Sequence, residues 1–175
     1  MTLKDLRARL LSRLSEFLVP LGYHRREQTF VRDATGCQFF FHLSFIHHRG
    51  VDSDITADVA VRHHAVEDLL NARQSDFSKR EASRTATIGA ALGNLAGVGQ
   101  HRWTLGAAED VEPIVAGIFE RFQRIGRPFL ERFSSPAETL RVLESDDPFA
   151  RLICPIPNHR EETRNVLPEL LARAD

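Results

Sequence analysis

Residues 35–62 read TGCQFFFHLSFIHHRGVDSDITADVAVR, and this stretch decides the fold. Its first half is apolar around Phe39, Phe40, Phe41, Leu43 and Phe45. Its second half alternates, with Ile55, Ala57, Val59 and Val61 on one side and Asp54, Thr56, Asp58 and Arg62 on the other. Alternation with period two marks a strand that buries one face. A strand over residues 38–47 and another over residues 54–62, joined by residues 49–53, predict an antiparallel hairpin. Phe39, Phe41, Leu43, Phe45 and the Ile/Ala/Val set are odd-numbered, so a shared apolar face pairs residues whose numbers sum to an even value of about 102.

Thr35-Gly36 supplies turn chemistry on the N-terminal side, and residues 29–33 form the strand before it. Leu3, Leu6, Leu10, Leu14 and Phe17 recur at three- and four-residue steps, a leading amphipathic helix that Thr2 caps and Pro20 and Gly22 end. Beyond the hairpin, a short helix is expected over residues 65–72 and a mobile polar loop over 73–84. Strands follow over residues 85–92 and 101–105, around a glycine-rich piece at 93–99. Val111, Ile114, Val115, Ile118, Phe119, Phe122 and Ile125 set out a long helix, with a break or kink at Gly126 and Pro128. Ser135-Pro136-Ala137-Glu138 reads as a capping box, residues 146–157 as a proline-bearing connector, and Asn158 with Glu161 as the cap of a last helix. The order of elements predicts an α+β fold: an antiparallel sheet of about five strands with helices segregated from it. One domain is expected over residues 1–145, with the connector and helix of 146–175 packed on it.

Composition excludes more than it assigns. A net charge of -1 over 175 residues provides no general attraction for a polyanion, and His24-Arg25-Arg26 is the one basic run. Nucleic acid is therefore not an expected partner. Cys37 and Cys154 fit no zinc spacing and no disulfide framework, and both read as buried thiols. Lys4, Asp5, Arg7 and Arg9 fall where a signal peptide would be apolar, so a cytoplasmic protein without a membrane segment is expected. Gly89, Gly93, Gly97 and Gly99 match neither the P-loop nor the dinucleotide pattern, and no cofactor is expected.

Two groups of side chains invite a chemical reading. The pairs His47-His48 and His63-His64 suggest a metal, but in the expected register His63 lies beside Phe39, roughly 30 Å along the strand from His48. Ligands of one zinc ion must all lie within about 2.3 Å of it, so solvated strand-end histidines are expected instead, and no metal site. His42, Ser44 and Asp58 share the second face of the hairpin, Asp58 opposite Ser44 and diagonal to His42. These are the residue types of a nucleophilic triad. Side chains two apart on one strand stand parallel, though, and no nucleophile elbow surrounds Ser44. A polar sheet face accounts for all three. Trp103 with Arg102 forms a recognition patch or part of the core, and the last helix docks on a partner or packs on its own domain.

Leu21-Gly22-Tyr23-His24-Arg25, then Thr29-Phe30-Val31-Arg32, Trp103 and Pro128-Phe129-Leu130, resemble an uncharacterised bacterial domain family over roughly residues 1–145. In that family a leading helix precedes a Gly–aromatic–x–basic step and a Thr/Ser-Phe-x-Arg strand. Its glutamine-rich second strand is replaced here by Phe-Phe-Phe-His-Leu-Ser-Phe. The resemblance implies the fold and an association with toxin-immunity systems, but no catalytic residues. The expected function is a non-enzymatic protein-binding or immunity-type module. The alternative is a small enzyme whose site is the His42/Ser44/Asp58 face.

Overall fold

Thr2 closes the first turn of the leading helix, α1 (Leu3–Leu18). Its hydroxyl accepts from the Asp5 amide at 3.2 Å while the Asp5 carboxylate accepts from the Thr2 amide at 2.9 Å, a reciprocal cap. The computed structural model describes residues 1–48, 50–73 and 78–173. Six strands follow α1: β1 (His24–Arg26), β2 (Thr29–Ala34), β3 (Cys37–His48), β4 (Asp52–His63), β5 (Ile88–Ala91) and β6 (Trp103–Leu105). They form one antiparallel sheet in the order β1-β2-β3-β4-β5, with β6 also paired to β4. The helices after the hairpin are α2 (His64–Ala72), α3 (Lys79–Ala82), α4 (Leu92–Leu95), α5 (Val111–Arg121), α6 (Arg127–Arg132), α7 (Pro136–Ser145), α8 (Pro148–Ile153) and α9 (Pro157–Ala172). The fold is α+β, as the order of elements predicts. Among the described residues no helix is long and apolar enough to cross a membrane.

Several elements depart from the sequence expectation for identifiable reasons. Strand β1 is three exposed residues with no alternation to reveal it, held by pairing His24 with Val31 and Arg26 with Thr29. The 73–84 segment carries the helical turn α3 rather than loop alone, closed by Ser78 and Glu81 exchanging backbone-to-side-chain bonds; residues 74–77 lie outside the described residues. Gly126 and Pro128 do not break the long helix. A π-helical turn over Phe122–Gly126 continues α5 into α6, and Pro128 stands just after that turn, inside the continuous helix. Ser135 caps α7 through the Glu138 amide at 3.3 Å, yet the Glu138 carboxylate turns to Arg132 and Arg141, so only half of a capping box forms. Inside the expected connector, Asp147 accepts from the Ala150 amide at 2.8 Å and Pro148 starts α8.

The chain divides into two compact units. One comprises Met1–Arg32, Phe40–Val59 and Ala91–Pro128. Its core joins the apolar stripe of α1 (Leu6, Leu10, Leu14, Leu18) to the odd-numbered face of the hairpin and to Val111, Val115, Ile118 and Phe122. Phe122 stands 4.6 Å from Phe41 and meets Tyr23 edge-on at 5.6 Å. Truncating such a buried ring removes about 3–5 kcal/mol. The other unit comprises Asp33–Phe39, Ala60–Ala90 and Phe129–Asp175. There Val66 and Leu70 of α2 pack with Val166 and Leu167 of α9, and Leu140 of α7 packs against the same cluster, so the last helix shares its apolar face between α2 and α7.

Candidate functional site

Strand β2 ends at Ala34 and β3 starts at Cys37, so opposed residues across this turn have numbers that sum to 71. The Leu43 amide donates to the Gln28 carbonyl at 3.1 Å in agreement. Thr29 therefore lies opposite His42, and its hydroxyl is 2.8 Å from His42 Nδ1. Strands β3 and β4 are each twelve residues long and are joined by three, which pairs His48 with Asp52 and Cys37 with His63. One step beyond, the Gly36 carbonyl accepts from the His64 amide at 3.1 Å.

These opposed numbers sum to 100, not the expected 102, because Asp52 and Ser53 join β4 instead of lengthening the turn. Ser53 is held there by its pairing with Leu105 of β6. The parity of the faces survives and the partners move by two residues. Asp58 now stands opposite His42, and Ser44 stands opposite Thr56. Ser44 is thereby removed from the carboxylate that the triad reading gave it. His63 falls opposite Cys37 rather than Phe39.

On this even-numbered face Phe40, His42, Ser44 and Asp58 are all half-buried. Burial pushes the His42 imidazole below its ordinary value, against the pull of Asp58, and pushes the Asp58 carboxyl up, against the pull of His42. For both groups loss of water outweighs mutual attraction. The imidazole is uncharged at neutral pH and can take or give a proton. Thr29 is the hydroxyl in hydrogen-bond reach of it. Thr29 has a signal in the sequence: a two-residue turn centred on Thr35-Gly36 sets residue 29 opposite residue 42.

The remaining candidates separate. His47 Nδ1 is 2.8 Å from Ser53 Oγ, and His48 Nε2 is 3.2 Å from the Asp54 carboxylate. That carboxylate is held below the usual range first by the Thr104 hydroxyl, then by Arg102 and His48. These two histidines are exposed, as expected. His63 is not: it is 2% exposed, its amide donates to Thr87 Oγ1 at 3.0 Å, and its Nε2 lies 3.1 Å from Thr139 Oγ1. Burial drives its imidazole down to about 4. Among the described residues no group of His, Cys, Asp and Glu is placed to hold a metal. Cys37 and Cys154 are buried thiols, and burial pushes Cys154 up to about 11.

Two arrangements were invisible in the sequence. Glu67, 1% exposed, lies 3.7 Å from Arg62 Nη1 and 3.7 Å from His159 Nε2; Arg62 also donates to Thr85 Oγ1 at 2.8 Å and to Asp68 at 2.6 Å. Elsewhere, Lys4, Arg7, Arg25, His47 and the carboxylate Glu27 line a cleft of about 540 Å³ over Ala8 and Leu11. Arg25 converges there with other cations while Arg26 is not part of the lining. The chain matches no family model, no curated protein and no solved structure.

Proposed function

We propose that this chain is a non-enzymatic binding module that engages another protein through the even-numbered face of its β3–β4 hairpin. The carrying observation is the make-up of that face. Phe40 and the 38% exposed Ile46 stand among His42, Ser44 and Asp58, while Arg7 of α1 covers the Phe45 ring and Phe122 of the π turn packs on Phe41 on the odd-numbered face. Mixed apolar and hydrogen-bonding side chains on a half-exposed surface are what protein interfaces use. The immunity-type role rests on the family resemblance alone.

A partner retained by the immobilised chain and then purified supplies the test. Ile46→Glu and His42→Ala are expected to weaken its binding at least tenfold in calorimetry while the melting temperature stays within a few degrees. Undiminished affinity of both variants removes the proposal.

One observation favours the enzyme reading: the Thr29 hydroxyl 2.8 Å from His42 Nδ1, with Asp58 across the strand pair. A hydroxyl, an imidazole and a carboxylate in sequence are the parts of an activated nucleophile. A screen of ester and amide substrates separates the two readings. Turnover abolished by Thr29→Val and by His42→Ala establishes the enzyme, and loss of turnover confined to variants elsewhere rejects this site.

A further inference from the structure

Between the 93–103 segment and α5 lies a cavity of about 290 Å³, lined by Val98, His101, Trp103, Gly117, Arg121 and Arg124 among others. Its size is near the lower end of small-molecule sites, ~300 Å³. Two glycines build it. A Cβ on Gly93 would stand 2.2 Å from the Gly99 carbonyl oxygen and 2.6 Å from the His101 amide nitrogen, so the segment closes on itself only with glycine there. The Val98 amide donates back to the Gly93 carbonyl at 3.1 Å. In the middle of α5, where glycine weakens a helix, a Cβ on Gly117 would stand 3.1 Å from Trp103 Nε1. The indole lies against the helix because that Cβ is missing. His101 meets the Trp103 ring edge-on at 4.5 Å.

The charges in this cavity do not balance. Glu120 supplies a carboxylate, already turned to Arg124 at 3.2 Å. The Arg121 guanidinium lies 5.8 Å from the Trp103 ring centre, and its Nη1 is buried with no hydrogen-bond partner among the described residues. Buried N–H groups of folded proteins are almost always paired, and a charged one left alone asks for a partner. His101 does not compete for it, since burial and the nearby Arg121 both hold that imidazole in its neutral form. One positive charge is left over, beside a flat aromatic wall. A guanidinium next to such a wall suits a carboxylate or phosphate with an apolar body.

We propose that this cavity binds a small organic anion, a carboxylate or a phosphate monoester on a flat ring, with Arg121 taking the anionic group and Trp103 the ring. Trp103 is the sole tryptophan of the chain, so its emission reports occupancy directly. Benzoate and phenyl phosphate are titrated as probes, with benzamidine as a cation of the same shape. Saturable change in emission is expected for at least one anion, with half-saturation at millimolar concentration or below, as about ten heavy atoms provide. Whichever of the two binds more tightly identifies the anionic group. Arg121→Gln is expected to weaken binding at least tenfold, and Arg121→Lys to recover part of it. Should Arg121→Gln fail to fold, the benzamidine comparison still decides. Equal binding of benzamidine and benzoate, no saturation with either anion, or an unchanged titration in a folded Arg121→Gln overturns the proposal.

Discussion

His47-His48 lies beside the β3–β4 turn, and His63-His64 lies where β4 runs into α2. The dipeptide is the same and the medium is not. His48 is 47% exposed and faces Asp54 across 3.2 Å, where water does most of the solvation. His63 is enclosed, and its hydrogen-bond partners Thr87, Phe133 and Thr139 come from far along the chain. A short sequence window cannot distinguish the two, because what separates them is supplied by chain that folds in from elsewhere. The same holds for the carboxylates: Asp54 keeps its charge among Thr104, Arg102 and His48, whereas Glu67 is enclosed with Arg62 and His159.

The largest way to break the contrast is at the enclosed end. Arg62→Met leaves the Glu67 carboxylate buried without its guanidinium and is expected to lower unfolding free energy by about 3–5 kcal/mol in urea titration. Adding Glu67→Gln should return part of that loss. A drop below about 1 kcal/mol would show that the buried carboxylate does not depend on Arg62.

Next comes the pH dependence of His63. Its folded imidazole stays neutral down to about 4, whereas in the unfolded chain it takes a proton near 6.5. Between those values the unfolded state binds more protons, so stability is fully present above 6.5 and falls as the pH drops toward 4. The loss amounts to about 3 kcal/mol. Urea midpoints measured at pH 7 and 4.5 should show the slope, and His63→Gln should flatten it.

Smaller and opposite in sign is Asp58→Asn. Burial raises the Asp58 carboxyl, so its ionised form is a burden at neutral pH, and the variant should melt higher than the parent at pH 7. Without the Asp58 charge, His42 should titrate at still lower pH by NMR. An unchanged His42 titration would mean that the two groups do not sense each other.

The smallest effect belongs to the exposed pair. His48→Gln should leave the urea midpoint where it was and move only the Asp54 titration upward. A clear destabilisation there would erase the distinction between the two dipeptides.

Periodicity made the hairpin, the leading helix and the α+β class legible, since each repeats its pattern over many residues. Register was less legible. Whether Asp52 and Ser53 belong to the turn or to β4 is settled by β6, which arrives from residues 103–105. That shift of two moved Asp58 from Ser44 to His42. Thr29 was readable from the Thr35-Gly36 turn. Arg62, Glu67 and His159 were not, because α2 and α9 meet through apolar faces whose partners carry no mark in either segment.

Cys37 and Cys154 lie in the same unit, 0% and 2% exposed, while Trp103 lies in the other. The native chain therefore carries two reporters, one in each half, without any label being added. Thiol alkylation in dilute urea counts the openings of one unit, and indole emission follows the melting of the other. Coincident curves would show a single cooperative transition, and separated curves would give each half its own stability.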